Sequence, residues 1–291
     1  MAEKKVTEAE ASEKKAAPKK TAKTITKVDS AKATTPAEKP AAKTTVKATP
    51  ATAADKSSAK TKRILAVVFW VLAIVCEVLA VLVFVGKVNL HISTALTQVI
   101  GLLVLDFILV VFGAQFWKQA NRIDPVSEQN KTKFWLWNNM GVIVCCFAFI
   151  PFLIYVLLID KDADPKMKKV ASIVAAVALV LGIGLNYTYS PVSAEGKAQA
   201  EATLGNTAVY WTPGGSVYHL DSDCQHLANS TNLFEGNVDN AIEAGKTRLY
   251  KTCAKNYDIE LAPNGAISSL AAPLTAAVEE AVEEVAEEPA A

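Results

Sequence analysis

The chain has 291 residues, 51% hydrophobic and only 20% charged, a balance that suits a membrane protein rather than a soluble enzyme. Its formal net charge of +1 hides a segregation: residues 1–63 hold 16 Lys/Arg against 7 Asp/Glu, while the last 18 residues hold six Glu and no basic residue. The first apolar run begins only at residue 64 and is too long for a signal-peptide core, so no secretory leader is predicted.

Residues 1–63 are rich in Lys, Ala and Thr, lack apolar periodicity and are interrupted by Pro18, Pro36, Pro40 and Pro50. They are expected to be a disordered basic tail, because such a composition buries too little surface to offset chain entropy. Its charge fits either a solvated spacer or contact with anionic lipid headgroups or nucleic acid. It has no interleaved aromatics on which bases would stack.

Residues 64–189 hold four apolar runs and predict an all-α membrane bundle of four transmembrane helices, over 64–85, 95–116, 140–159 and 170–187. A run of 22 residues is long enough to cross a bilayer core of about 30 Å. The first run carries Glu77 and the second Asp106. Antiparallel pairing of the two helices predicts that these carboxyls lie at similar depth, where a lone charge is costly. They form either an ion or proton site or a protonated pair that joins two helices. Pro151 predicts a kink near the middle of the third run. In the link 117–139, Asp124-Pro125 reads as the start of a short surface helix, and Trp117, Trp135 and Trp137 as an aromatic belt. Asp164-Pro165 places the start of the fourth helix.

Four spans put both chain ends on one side of the membrane. That side would carry nine membrane-proximal basic residues against five on the other, which predicts a cytoplasmic N-terminus. The fourth helix taken alone, with Lys166, Lys168 and Lys169 before it, prefers the opposite sense. A third run folded back at Pro151 would reconcile the two.

Residues 190–206 are small and polar and read as a stalk. Residues 207–260 follow as a small α+β module, and 261–291 as an acidic disordered tail that could attract the basic one. Within the module, 209–211 and 216–219 flank the turn formers Thr212-Pro213-Gly214-Gly215 and predict a β-hairpin. Asn237 is suited to cap a helix that Gly245 closes. So short a segment has a small core and calls for a staple. Cys76, Cys145 and Cys146 lie in apolar runs, where they read as small buried hydrophobes. Cys224 and Cys253, with His219, carry the only spacing suggestive of metal ligands.

Tyr218-His219, Cys224, His226-Leu227, Ala241, Gly245 and Cys253 together resemble a small bacterial zinc-binding module similar to the metal-binding domain of the Ada DNA-repair protein. That module runs Tyr-His-x4-Cys-x2-Leu, then a helix with Ala and Gly, then Cys-x2-Cys. It is often appended to bacterial secreted or membrane proteins, including some nucleases. The resemblance covers residues 208–257 and implies zinc on His219, Cys224 and Cys253. The first Cys of the family's last pair falls on Tyr250, so the site is either completed by His226, Asp223 or water, or is weak or lost in this chain, leaving a metal-free core. In an oxidising compartment a Cys224–Cys253 disulfide would serve as the staple instead.

No general base or catalytic constellation stands near these residues, so a non-enzymatic role is expected. The first expectation is a multi-pass membrane protein anchoring a module that binds or senses a partner protein. The alternative is a small transporter or channel component using Glu77 and Asp106. A third, nucleic-acid handling at the membrane, rests on the basic tail and on the module-bearing nucleases.

Overall fold

The structure is a computed structural model, and it describes residues 23–28, 53–159, 164–263 and 265–267. The elements are, in order, β1 (Thr24–Lys27), α1 (Ala53–Phe84), α2 (Ala95–Ile123), α3 (Lys131–Asn138), α4 (Met140–Ile154), α5 (Pro165–Asn186) and α6 (Ala194–Leu204). The module follows with β2 (Val209–Trp211), β3 (Val217–Tyr218), β4 (Asn232–Gly236), α7 (Val238–Glu243), β5 (Arg248–Leu249) and α8 (Lys251–Asn256). The acidic stretch 279–288 lies outside the described residues.

Four helical segments, Asp55–Phe84, Ala95–Ile123, Met140–Ile159 and Pro165–Asn186, are long and apolar enough to cross a membrane. Their buried seams are rich in small residues, while much of their apolar surface stays exposed. On α1 the fully buried positions include Ala59, Ala66, Ala73 and Ala80, while Val67, Val71, Ile74 and Val78 are about half exposed. This seven-residue spacing of alanines is a seam along which a neighbouring backbone can approach, the expected source of helix association where lipid is as apolar as leucine. On α2, Gly113 answers it: a Cβ there would overlap the Trp70 indole. On α5 the buried line is again small, with Ala171, Ala175, Ala178 and Gly182. Many large aliphatics face outward as a lipid-compatible belt, while Val99, Leu103, Val110, Phe149 and Phe152 fill the core.

Side-chain contacts fix α1 and α2 as antiparallel neighbours. Lys62 Nζ donates to Gln119 Oε1 at 2.8 Å, and Trp70 Nε1 to the Val110 carbonyl at 3.4 Å. At the C-terminal end of α5, Lys118 Nζ reaches the carbonyls of Leu185 and Tyr187, and the Thr188 N–H donates to Asn139 Oδ1. The first half of α1, the end of α2, the start of α4 and the end of α5 therefore share one end of the bundle. The third run does not fold back: helical structure continues past Pro151 and runs on from Tyr155 to Ile159 as a π-helical turn. The proline removes one rung of the ladder, and the wider turn follows within one helical turn of it.

Several boundaries differ from those expected. The helix expected at residue 64 starts at Ala53, since polar helix formers extend it beside the lengthened α2. The tail 1–63 is therefore not wholly without structure, and residues 24–27 add a strand to the module. Asp124 caps the end of α2 and pairs with Arg63 at 2.9 Å, so α3 starts later, at Lys131, with Asn130 as N-cap. Asp164 caps α5 as expected, accepting from the Met167 N–H at 3.0 Å. Trp117 is buried rather than at a belt. It packs between Trp70 and Trp137 at ring distances of 5.4 and 5.1 Å, and only Trp135 is half exposed.

The stalk is instead largely the helix α6, capped by Ser193. It seats the module on the bundle. Lys197 Nζ donates to the Ile123 carbonyl at 3.0 Å, and Glu195 accepts from Ser127 Oγ and from the Glu128 N–H. In the module, β4 lies between β1, parallel to it, and β2, antiparallel to it. The expected hairpin is reduced to the bridge Tyr210–His219, because β3 pairs instead with β5, in parallel. Lys246 ties down the connecting turn: its buried ammonium donates to the carbonyls of Pro213, Gly214 and Gly215 at 2.9–3.2 Å. The module core is Val209, Trp211, Tyr218, Leu220, Val238, Ile242 and Leu249.

Candidate metal centre

The pairing of β3 with β5 builds the site. Its register sets Tyr218 beside Leu249, and the Tyr250 N–H continues it to the Tyr218 carbonyl at 2.9 Å. His219 thus leaves β3 next to the start of α8, whose first turn carries Cys253. Cys224 arrives by a tight turn in which Asp221 Oδ1 accepts from the Asp223 N–H at 2.8 Å. The buried Leu227, in the 3₁₀ turn that follows, anchors that turn in the module.

The three side chains converge. Cys253 Sγ lies 3.7 Å from His219 Nδ1 and 3.8 Å from Cys224 Sγ, and all three ligand atoms lie within 4.8 Å of one another. Tetrahedral zinc with ordinary bond lengths sets two sulfurs about 3.8 Å apart and a sulfur and a nitrogen about 3.6 Å apart. At 3.8 Å the sulfurs are not bonded, and both cysteines are free thiols. The backbone N–H groups of Leu220 and Asp221 lie near Cys253 and act to lower its pKa. Such donors stabilise a thiolate, the form that binds metal.

Electrostatics fit the same donor set. Burial pushes the Cys253 thiol up to about 11, and the adjacent Cys224 adds to the shift despite the two N–H donors. A dication at the centre would reverse this balance and release the protons. Burial, with His226 nearby, lowers His219 to about 4, which keeps its imidazole neutral as a ligand must be.

Among the described residues no fourth Cys, His or carboxylate joins the cluster. Tyr250 stacks on His219 at 4.7 Å and packs against His226 at 4.5 Å. His226 thus stands against Tyr250, outside the converging trio, and Asp223 is exposed and turned to Lys23 at 3.4 Å.

In the bundle, Asp106 is fully buried with neither carboxyl oxygen hydrogen-bonded, and Glu77 is nearly buried, within electrostatic reach of it. Glu77 shares a groove with Pro151 and Phe152 of α4. That groove, of about 360 Å³, is also walled by Val78, Val81, Leu82 and Tyr155. The role of Lys246 is not legible in the sequence, since the carbonyls it holds lie more than 30 residues before it.

No family model, no curated protein and no solved structure matches the chain.

Proposed function

We propose that this is a multi-pass membrane protein whose four helices anchor a structural zinc module that binds or senses a partner protein on the cytoplasmic face. The observation that carries this reading is the convergence of His219, Cys224 and Cys253 at distances suited to tetrahedral zinc. These three residues would hold the ion, with a water or exogenous ligand at the fourth corner. The ion would supply folding energy to a module with a small core. The same three-ligand arrangement gives a partner side chain an open coordination position to occupy. Metal content of the full chain, purified in detergent without chelator, tests the reading. One zinc per chain, lost in Cys253→Ser with the bundle still folded, is the expected result. A metal-free chain whose module melts unchanged after exposure to zinc would overturn it.

A second reading has its own support in the unpartnered carboxyl of Asp106 opposite Glu77. Under it the pair is a proton or cation site within the bundle. Asp106→Asn separates it from a purely structural pair. Loss of ion flux into proteoliposomes with normal assembly supports transport, whereas lost assembly with no wild-type flux supports helix pairing.

A further inference from the structure

Where the module meets the bundle there is a cavity of about 300 Å³, of the size of a small-ligand site. Three cationic side chains line it, Lys118 and Arg122 from the end of α2 and Arg248 from β5, and no Asp or Glu does. Lys118 is accounted for by the α5 carbonyls it caps. The two arginines are not. Among the described residues Arg122 forms no ion pair, and its guanidinium is held against Gly245, about 3.0 Å from where a Cβ would sit. Arg248 donates to Ser216 Oγ, but its Nε is buried without a partner. Half-buried guanidinium groups without a counter-charge are unfavourable in isolation, and their planar forks match phosphate geometry.

The position narrows the ligand class. The cavity lies at the end of the spanning segments, where headgroups would sit. Tyr187 and Tyr189 line it, their rings 4.9 Å apart, and Tyr189 is largely exposed. We propose that this cavity is a phosphate-binding site at the membrane surface, taking either the phosphate of an anionic phospholipid headgroup or free phosphate. An anion there would touch the bundle through Arg122 and the module through Arg248, and so join the two.

The full chain in maltoside micelles, which contain no phosphate, allows the test. Native mass spectrometry would compare retention of phosphatidylglycerol with that of an uncharged galactolipid. Thermal unfolding would compare inorganic phosphate with chloride at equal ionic strength. The expected result is preferential retention of phosphatidylglycerol, weakened about tenfold or more in the double variant Arg122→Gln/Arg248→Gln and unchanged in Lys131→Gln. A raised melting temperature with phosphate identifies free phosphate as a ligand as well, and retention of the lipid alone identifies the headgroup. Equal retention of the two lipids with no phosphate effect would overturn the proposal, as would a folded double variant that binds like the wild type. The wild-type comparison decides the matter even if the double variant does not fold.

Discussion

At Gly245 two independent constraints meet. Its φ of +84° is a conformation that side-chain-bearing residues rarely adopt, and the Arg122 guanidinium lies where a Cβ would project. Gly245→Ala should therefore destabilise the module by about 1–3 kcal/mol and displace Arg122. Gly184→Ala, near the C-terminal end of α5 with open space around it, should cost nothing measurable. Thermal unfolding of the two variants in the same detergent checks the contrast. Comparable losses would mean that the Arg122 contact places no demand on position 245. The residue scale is also where the sequence was most readable for chemistry. His219, Cys224 and Cys253 stand out by type alone in a segment with few such residues. Their spacing marks them as candidate ligands, and the parallel β3–β5 pairing, a non-local contact, brings them together. The arginines of the interfacial cavity carry no local signature at all, since 122 and 248 meet only after the module docks.

At the scale of elements, the contact of α6 with α7 is the most charge-dependent. Lys197 Nζ lies 3.8 Å from Glu201 and 3.7 Å from Asp239. Burial, with the Asp239 carboxyl nearby, raises Glu201 to about 7, and Lys197 opposes this only in part. Burial raises Glu243 too, with Asp239 and Asp55 nearby, while Lys197 and Lys62 oppose it. A carboxyl whose folded pKa is raised favours folding while it stays protonated. That stability is fully present below the ordinary glutamate pKa of about 4.3 and is lost as pH rises through about 7. The α6–α7 contact should thus weaken between pH 5 and pH 8, by on the order of 1–2 kcal/mol after allowance for solvent screening. Glu201→Gln should flatten the profile and be the more stable form at pH 8, as read by amide exchange of α6 and α7. An identical pH profile in the variant would refute the assignment. Neither α6 nor β1 was legible beforehand, for physical reasons. The α6 sequence has no apolar stripe, and only its helix-forming Ala, Glu, Gln and Lys with Ser193 as cap could have signalled it. The strand Thr24–Lys27 is exposed along its whole length and owes its conformation to the edge of β4. The four long apolar runs, by contrast, needed no tertiary partner to be read.

Considered whole, the molecule places both its described N-terminal strand and its C-terminal module at one end of the bundle, and the strand reaches the module to pair with β4. This arrangement follows from an even number of spans, and it couples topology to chemistry. If that end is cytoplasmic, Cys224 and Cys253 meet a reducing milieu in which thiolates are available to a metal. If it is external, the same two sulfurs meet oxidants and a bond between them competes. The basic side chains at this end include Lys56, Lys60, Lys62, Arg63, Lys118, Arg122, Lys131, Lys133 and Lys197, whereas the α1–α2 loop and the start of α5 offer Lys87, Lys166, Lys168 and Lys169. The excess predicts a cytoplasmic module. A membrane-impermeant maleimide applied to intact cells distinguishes the cases. It should leave the half-buried Cys224 unmodified until the cells are opened, while a cysteine introduced by Ile92→Cys, at a position 81% exposed in the α1–α2 loop, should react at once. The reverse pattern would place the module outside, and the zinc reading would then have to contend with a Cys224–Cys253 disulfide.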